Sequence, residues 1–199
     1  MAFEKDFMRF MLSDGAGAVL IQDHPEGEHP LKIEWIEMIS YANELPTCMF
    51  MASELQSDGR LKSWKEYTPE EIKERGVLVG KQDIRQLKKH IIKYWVDHIG
   101  AVLSKHNVKA EEIDYVIPHV SSMFFYEKLN DEITARGIAL TKEKWFTNLT
   151  SVGNIGSAAI YVALDELIRT KEIKQGQKIL LLVPESGRFS YGSVLLRKC

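Results

Sequence analysis

The sequence has little with which to build a cross-linked, metallated or membrane-embedded protein. Only 2 cysteines occur in 199 residues, Cys48 and Cys199, without CxxC or metal-ligand spacing. That excludes a disulfide framework and points to a reducing, cytoplasmic setting. The 6 histidines are scattered, so no metal site is expected. No apolar run approaches the roughly 18 residues of a membrane helix. The opening MAFEKDFMRFMLSDGAGAVLI, acidic early and broken by a polar turn, is neither a signal nor a transit peptide. A formal net charge of -2 gives no bulk attraction to nucleic acid or to an anionic membrane. Neither a full GxGxxG nor a GxxxxGK[ST] motif is found, and there is no internal repeat or low-complexity tract.

What is present suits a soluble globular chain: 45% hydrophobic and 27% charged residues, at a length that buries a sizeable core. Phe7 to Leu12 and Ala16 to Gln22 read as strands around SDGAG, and Leu31 to Tyr41 as a further strand of alternating polarity. Asn43 to Lys65 is an irregular excursion or lid. Thr68-Pro69-Glu70-Glu71 has the form of a capping box with proline at the first helical position, and Gly76 ends that short helix. A long helix is predicted from about Asp83 to Lys105, with Ile84, Leu87, Ile91, Trp95, Ile99, Val102 and Leu103 at helical spacing. Its basic face, Arg85, Lys88, Lys89 and Lys93, is either a solvated surface or a dock for an acidic carrier or a nucleotide phosphate. Strand Ile113 to Ile117, helix Met123 to Arg136 capped by Ser121 or Ser122, strand Trp145 to Thr150, helix Ile155 to Thr170, and strands Lys178 to Val183 and Phe189 to Leu196 complete the order. The class is α/β, with helices covering a mixed sheet.

Three strand ends in this order present His119, Asn154 and Gly187, in the zone where open α/β sheets bind ligands. Each has an ordinary structural explanation. A histidine after proline is commonly a satisfied core residue, and an asparagine at a helix start is commonly a cap. GNIGSAA also has the look of a phosphate-cradling loop, although it lacks the full motif. Taken together, a neutral imidazole and an amide can both donate to one carbonyl oxygen, which is the requirement for holding an enolate next to a thioester.

The blocks DGAGAVLI, IDYVIPHVSS, SVGNIGSAAIYVALDELIRTKEIKQGQKILLL and GRFSYGSVLLR together resemble the C-terminal half of β-ketoacyl-acyl-carrier-protein synthase III, in the thiolase superfamily. The PESGRFSY ending is most similar to the dialkylresorcinol and aryl-polyene type ketosynthases. The resemblance implies the C-terminal half of a thiolase-like fold, with residues 1–30 as the last strands of the other half and a linker, and 31–199 as the condensing domain. It implies that His119 and Asn154 stabilise an enolate during decarboxylative Claisen condensation. Gly187 would give an oxyanion-hole N–H, and Phe189, Tyr191, Ser122 and Phe124 would line the substrate pocket. No cofactor is implied beyond thioesters carried by coenzyme A or acyl carrier protein. Acyl-CoA and malonyl-carrier-protein substrates, a docked carrier protein and a homo-oligomer are the implied partners.

The family's nucleophile is a cysteine at a helix N-terminus, upstream of the block like DGAGA. Neither Cys48 nor Cys199 stands in such a context, so the chain alone is expected to be inactive and prone to self-association through its unpaired face. Val120, Ser121, Ser122 and Phe124 depart from the family's usual Gln-Ala-Asn and following basic residue, and PESGR replaces a glycine-rich run, so that Glu185 and Arg188 reshape the pocket mouth. A non-catalytic scaffold that keeps the fold, and a nucleotide-binding domain using Gly153 to Gly156, are the competing readings.

Overall fold

A computed structural model describes residues 11–199. Its centre is a four-stranded mixed sheet made of β1 (Leu31–Ser40), β8 (Ser190–Lys198), β7 (Lys178–Glu185) and β6 (Tyr115–Pro118), in that order across the sheet. β6 and β7 run parallel, with Ile117 opposite Leu181, and the other two pairings are antiparallel. Because strand side chains alternate, β7 feeds two cores. Leu180 and Leu182 face α2 (Ile84–Lys105) and α3 (Met123–Ala135), where Trp95, Ile99, Leu129 and Ile133 are buried. Ile179 and Leu181 face α5 (Ala159–Thr170) and pack on Ile160, Ala163 and Leu167. Each fully buried Leu or Ile contributes about 1.5–3 kcal/mol relative to exposure.

Local chemistry sets the helix starts. Thr68 and Glu71 form the expected capping box on α1 (Pro69–Arg75), which ends at Gly76 in a left-handed conformation. Asp83 caps α2 by accepting from the Arg85 and Gln86 N–H groups at 2.9 and 3.1 Å. Ser122 stands at the N-cap of α3 but its hydroxyl makes no capping bond. The excursion after β1 is more ordered than its polarity suggests. It holds β2 (Met49–Phe50) paired with β5 (Lys81–Gln82), and the hairpin of β3 (Ser53–Leu55) with β4 (Leu61–Ser63). Glu54 braces it, accepting from Tyr67 Oη at 2.7 Å and from Arg75 at 3.1 Å.

Two predicted strands are not strands. Residues 145–150 contribute a single bridge, Trp145 to Val116, and then turn into the short helix α4 (Leu149–Val152). The chain turns at Asn148: its carbonyl accepts from the nearby Ser151 and Val152, and its side chain donates to the distant Glu166 at 2.7 Å. Ala16 to Gln22 pairs with no described strand. A strand is held by its ladder, and this segment instead lies as a strap on α5 and the loop before it, with Gly15 against Ile155 and Gly17 against Tyr161. The predicted Phe7 to Leu12 strand falls mostly outside the described residues. Among the described residues no helix is long and apolar enough to cross a membrane.

Candidate active site

β6 delivers His119. Its N–H extends the parallel ladder by donating to the Leu182 carbonyl at 2.8 Å, so the imidazole is fixed at the carboxyl end of the strand. There it lines a small, partly solvent-open cavity of about 20 Å³ with Ile117, Asn148, Gly153, Ala159 and Ile160. No described residue hydrogen-bonds the ring. Burial pushes its pKa below the ordinary histidine value, which keeps it neutral at pH 7 and able to donate.

Asn154 follows Gly153 in the loop before α5. Gly153 lines the cavity at φ +83°, a conformation that favours glycine, and a side chain there would strike Ser13. Asn154 is only 6% exposed. Its Oδ1 accepts the Gly156 N–H at 3.1 Å, and its carbonyl accepts from the Ser13 N–H of the strap at 2.8 Å. The bond from Gly156 fixes which end of the amide is oxygen, and Nδ2 is left without a partner among the described residues. A 3₁₀ turn, Gly156–Ala158, then leads into α5. This delays the helix start relative to the predicted Ile155. The first residues of α5, Ala159 and Ile160, line the cavity, so the positive end of the helix dipole faces it.

Of the seven predicted site residues, His119 lines this cavity, Asn154 directly follows its lining residue Gly153, and the other five do not line it. Gly187 lies in the β7–β8 turn, where its N–H already donates to the Glu185 carboxylate. Phe189 and Tyr191 are fully buried on the opposite, α2 face of the sheet. The Tyr191 hydroxyl donates to the Ile91 carbonyl at 3.0 Å, and Phe189 packs edge-on against His90. They are core residues because the β8 side directs them away from α5, and they do not line this cavity. Ser122 is a half-buried N-cap, and Phe124 is 52% exposed beneath the Lys88 ammonium, so neither lines the cavity. Asn148, which does line it, was hidden by reading 145–150 as a strand; the Thr147-Asn148 pair before LTSV was the available turn signal.

Neither cysteine has the surroundings of a nucleophile. Cys48 is fully buried, its thiol donates to the Asp83 carbonyl at 3.3 Å, and burial pushes its pKa up to about 12. Cys199 is exposed at the end of β8, where its thiol lies 3.9 Å from the Arg197 carbonyl.

Comparison with known proteins finds that residues 103–198 match the family described as 3-oxoacyl-[acyl-carrier-protein] synthase III C terminal. The β-ketoacyl-[acyl-carrier-protein] synthase III of Clostridium novyi is 30% identical over 113 residues, covering 57% of this chain and 33% of the relative. That of Clostridium perfringens strain SM101 is 26% identical over 187 residues, covering 94% of this chain and 52% of the relative. Among solved structures, 3-oxoacyl-[acyl-carrier-protein] synthase III from Aquifex aeolicus superposes with a TM-score of 0.59 at 25% identity, covering 87% of this chain and 46% of that one. The chain thus spans about half, or less, of the length of these relatives.

Proposed function

As a member of the 3-oxoacyl-[acyl-carrier-protein] synthase III family through residues 103–198, the chain, we propose, supplies the enolate-stabilising half of an enzyme that condenses an acyl thioester with a malonyl thioester. The observation that carries this reading is a neutral His119 ring in the cavity beside the start of α5, with Asn154, whose Nδ2 has no partner among the described residues, directly following the cavity-lining Gly153. In the proposed step the bond from the malonyl α-carbon to its carboxylate breaks, carbon dioxide leaves, and the electron pair becomes an enolate. His119 and Asn154 donate to the enolate oxygen, while the α5 dipole adds a fixed positive potential. The α-carbon then attacks the acyl carbonyl, a main-chain N–H such as that of Gly187 holds the resulting oxyanion once Glu185 has moved away, and collapse of this intermediate breaks the acyl carbon–sulfur bond, releasing the β-ketoacyl thioester and the carrying cysteine as thiolate.

The acyl group rides on a cysteine that is neither Cys48 nor Cys199, because the Cys48 thiol is buried and held protonated and Cys199 stands far along β8 from the cavity. The thioester provides the activation, so no further cofactor is invoked. Acyl groups arrive on coenzyme A or on an acidic carrier, for which the Lys88 and Lys89 side of α2 offers complementary charge. Exposed apolar side chains on the α5 face of β1, Ile36 and Met38, support the expected self-association of the chain in isolation.

A scaffold role is favoured by one observation: Asn154 Oδ1 and the Gly187 N–H are both spent on local turns. Complementation separates the two readings. The chain mixed with a cysteine-bearing N-terminal half of a relative should yield a β-ketoacyl thioester, while His119→Ala should not. Equal product from His119→Ala would leave only the scaffold.

A further inference from the structure

Asn148 opens the loop that carries Gly153 and Asn154, and it is tied in two directions. Its carbonyl holds the loop's own turn, accepting the Ser151 and Val152 N–H groups at 3.1 and 2.9 Å and the Ser151 hydroxyl at 3.0 Å. Its side chain reaches out of the loop, where Nδ2 donates to Glu166 Oε2 at 2.7 Å, about two turns into α5. Asn148 is 8% exposed and lines the same small cavity as His119.

The half-buried Glu166 carboxylate forms no ion pair among the described residues, whereas its neighbour Asp165 takes Arg169 one turn on. A carboxylate drawn out of water without a cation is costly unless its hydrogen bonds are made, and here the bond comes from a neutral amide. Because a carboxylate only accepts, the bond also fixes which end of the Asn148 amide is nitrogen.

This bond closes a frame around Asn154. The frame runs from Asn148 through α4 to Gly153 at φ +83°, through Asn154 and the Gly156–Ala158 turn, and along α5 back to Glu166. Just before it, the Phe146 N–H donates at 2.8 Å to the Val116 carbonyl of β6, the strand that delivers His119. Among the described residues, Asn148 to Glu166 is the one hydrogen bond that joins residues 146–153 to α5.

We propose that Asn148 and Glu166 are positioning residues: their bond braces the loop so that the Asn154 amide is presented to the oxygen that His119 meets. The chemical part of this rests on the function proposed above; the brace rests on the geometry alone. Neither residue donates to the enolate, and both act through Asn154. A misplacement of about 1 Å costs on the order of 10²-fold in rate, so loss of the brace is felt in turnover rather than in substrate affinity.

The test breaks the bond and reads Asn154 in two ways. In the ¹⁵N-labelled chain, the Gly156 N–H, held by Asn154 Oδ1 at 3.1 Å, and the Ser13 N–H, held by its carbonyl at 2.8 Å, report where Asn154 sits. In Glu166→Leu, which keeps the side-chain bulk, both amides should exchange with solvent at least about tenfold faster, while amides in α2 keep their rates. Glu166→Gln retains an acceptor oxygen for Asn148 Nδ2 and should recover most of the protection. If Glu166→Leu does not fold, Asn148→Ala breaks the same bond with α5 intact and should give the same result. In the complete enzyme, Glu166→Leu should lower kcat for malonyl-thioester decarboxylation by roughly 10- to 10²-fold with KM within about threefold of wild type. Added to Asn154→Ala it should cost little more, since the brace then has no amide to present. Unchanged exchange at Gly156 and Ser13 overturns the proposal, and so does a loss that multiplies in full on the Asn154→Ala background, as a merely structural role would give. An Asn154→Ala enzyme as fast as wild type would instead refute the condensation reading, and the exchange rates alone would then decide the brace.

Discussion

Replacing Asn154 by alanine and by aspartate separates two tasks that one side chain performs. Its Oδ1 holds the Gly156 N–H at 3.1 Å, and its Nδ2 is the donor assigned to the enolate. Alanine removes both. Losing a cap-type bond of this kind costs about 0.5–2 kcal/mol, and each kcal/mol corresponds to about 2–4 °C of melting temperature at this chain length. Aspartate keeps the acceptor, and its charge at the start of the Gly156–Thr170 helical segment gains about 0.3–1 kcal/mol against the desolvation of a buried carboxylate. Its stability should therefore stay within about 1 kcal/mol of wild type, by urea midpoint on the isolated chain. Chemistry should rank the two differently. Both lose the amide donor, which costs about 10²–10³ in rate, and aspartate adds repulsion toward an enolate, so it should be the slower. Malonyl-thioester decarboxylation in the complete enzyme gives the comparison. Activity of Asn154→Asp within a few-fold of wild type would refute the donor assignment and leave Asn154 as a cap.

Three further outcomes test the fold around the site. His98 is buried with Nε2 at 2.9 Å from Ser193 Oγ, and burial lowers its pKa despite the attraction of Glu37. A base whose folded pKa is depressed takes up its proton first in the unfolded state. Stability should therefore fall as pH drops below about 6.5, and His98→Gln should flatten that slope in urea melts between pH 8 and 5. With the Cys48 thiol at about 12, only on the order of one part in 10⁴ is thiolate at pH 8. Iodoacetamide should label Cys199 alone in the native chain and both cysteines in denaturant, as counted by mass spectrometry. Leu167→Ala, at a fully buried position on α5, should cost about 2–5 kcal/mol, whereas Met38→Ala, at 80% exposure, should change the urea midpoint by no more than about 0.5 kcal/mol.

Elements governed by nearby residues were legible in the sequence. The Thr68 capping box, the Asp83 cap and the spacing from Ile84 to Leu103 determine α1 and α2 by local rules. The β6 and β7 runs were equally plain, since their apolar residues suit a sheet buried on both faces. What stayed hidden depends on partners distant in the chain. Trp145 to Thr150 has the composition of a strand, but the Asn148 to Glu166 bond turns it into α4. Ala16 to Gln22 has the apolar run of a strand, yet no described strand offers it a ladder, and Gly17 fits against Tyr161 of α5 instead. His119 and Asn154 could be singled out as candidates because each follows a strand or loop end of definite form. Gly187 was located correctly at a strand end, but the reach of a glutamate two residues away decides what its N–H binds. Phe189 illustrates the same limit: its position is read easily, its face only after the positive φ and the β8 register are known.

The central claim is that His119 and Asn154 act on one oxygen, and a double-substitution cycle on malonyl-thioester decarboxylation tests it most directly. Each of His119→Ala and Asn154→Ala should slow carbon dioxide release by about 10²-fold or more. The double variant should be little slower than the worse single one, since groups that act as a unit do not contribute independently. Rates that fall by the full product of the two factors would place the residues on separate tasks, and rates unchanged by either substitution would contradict the account altogether.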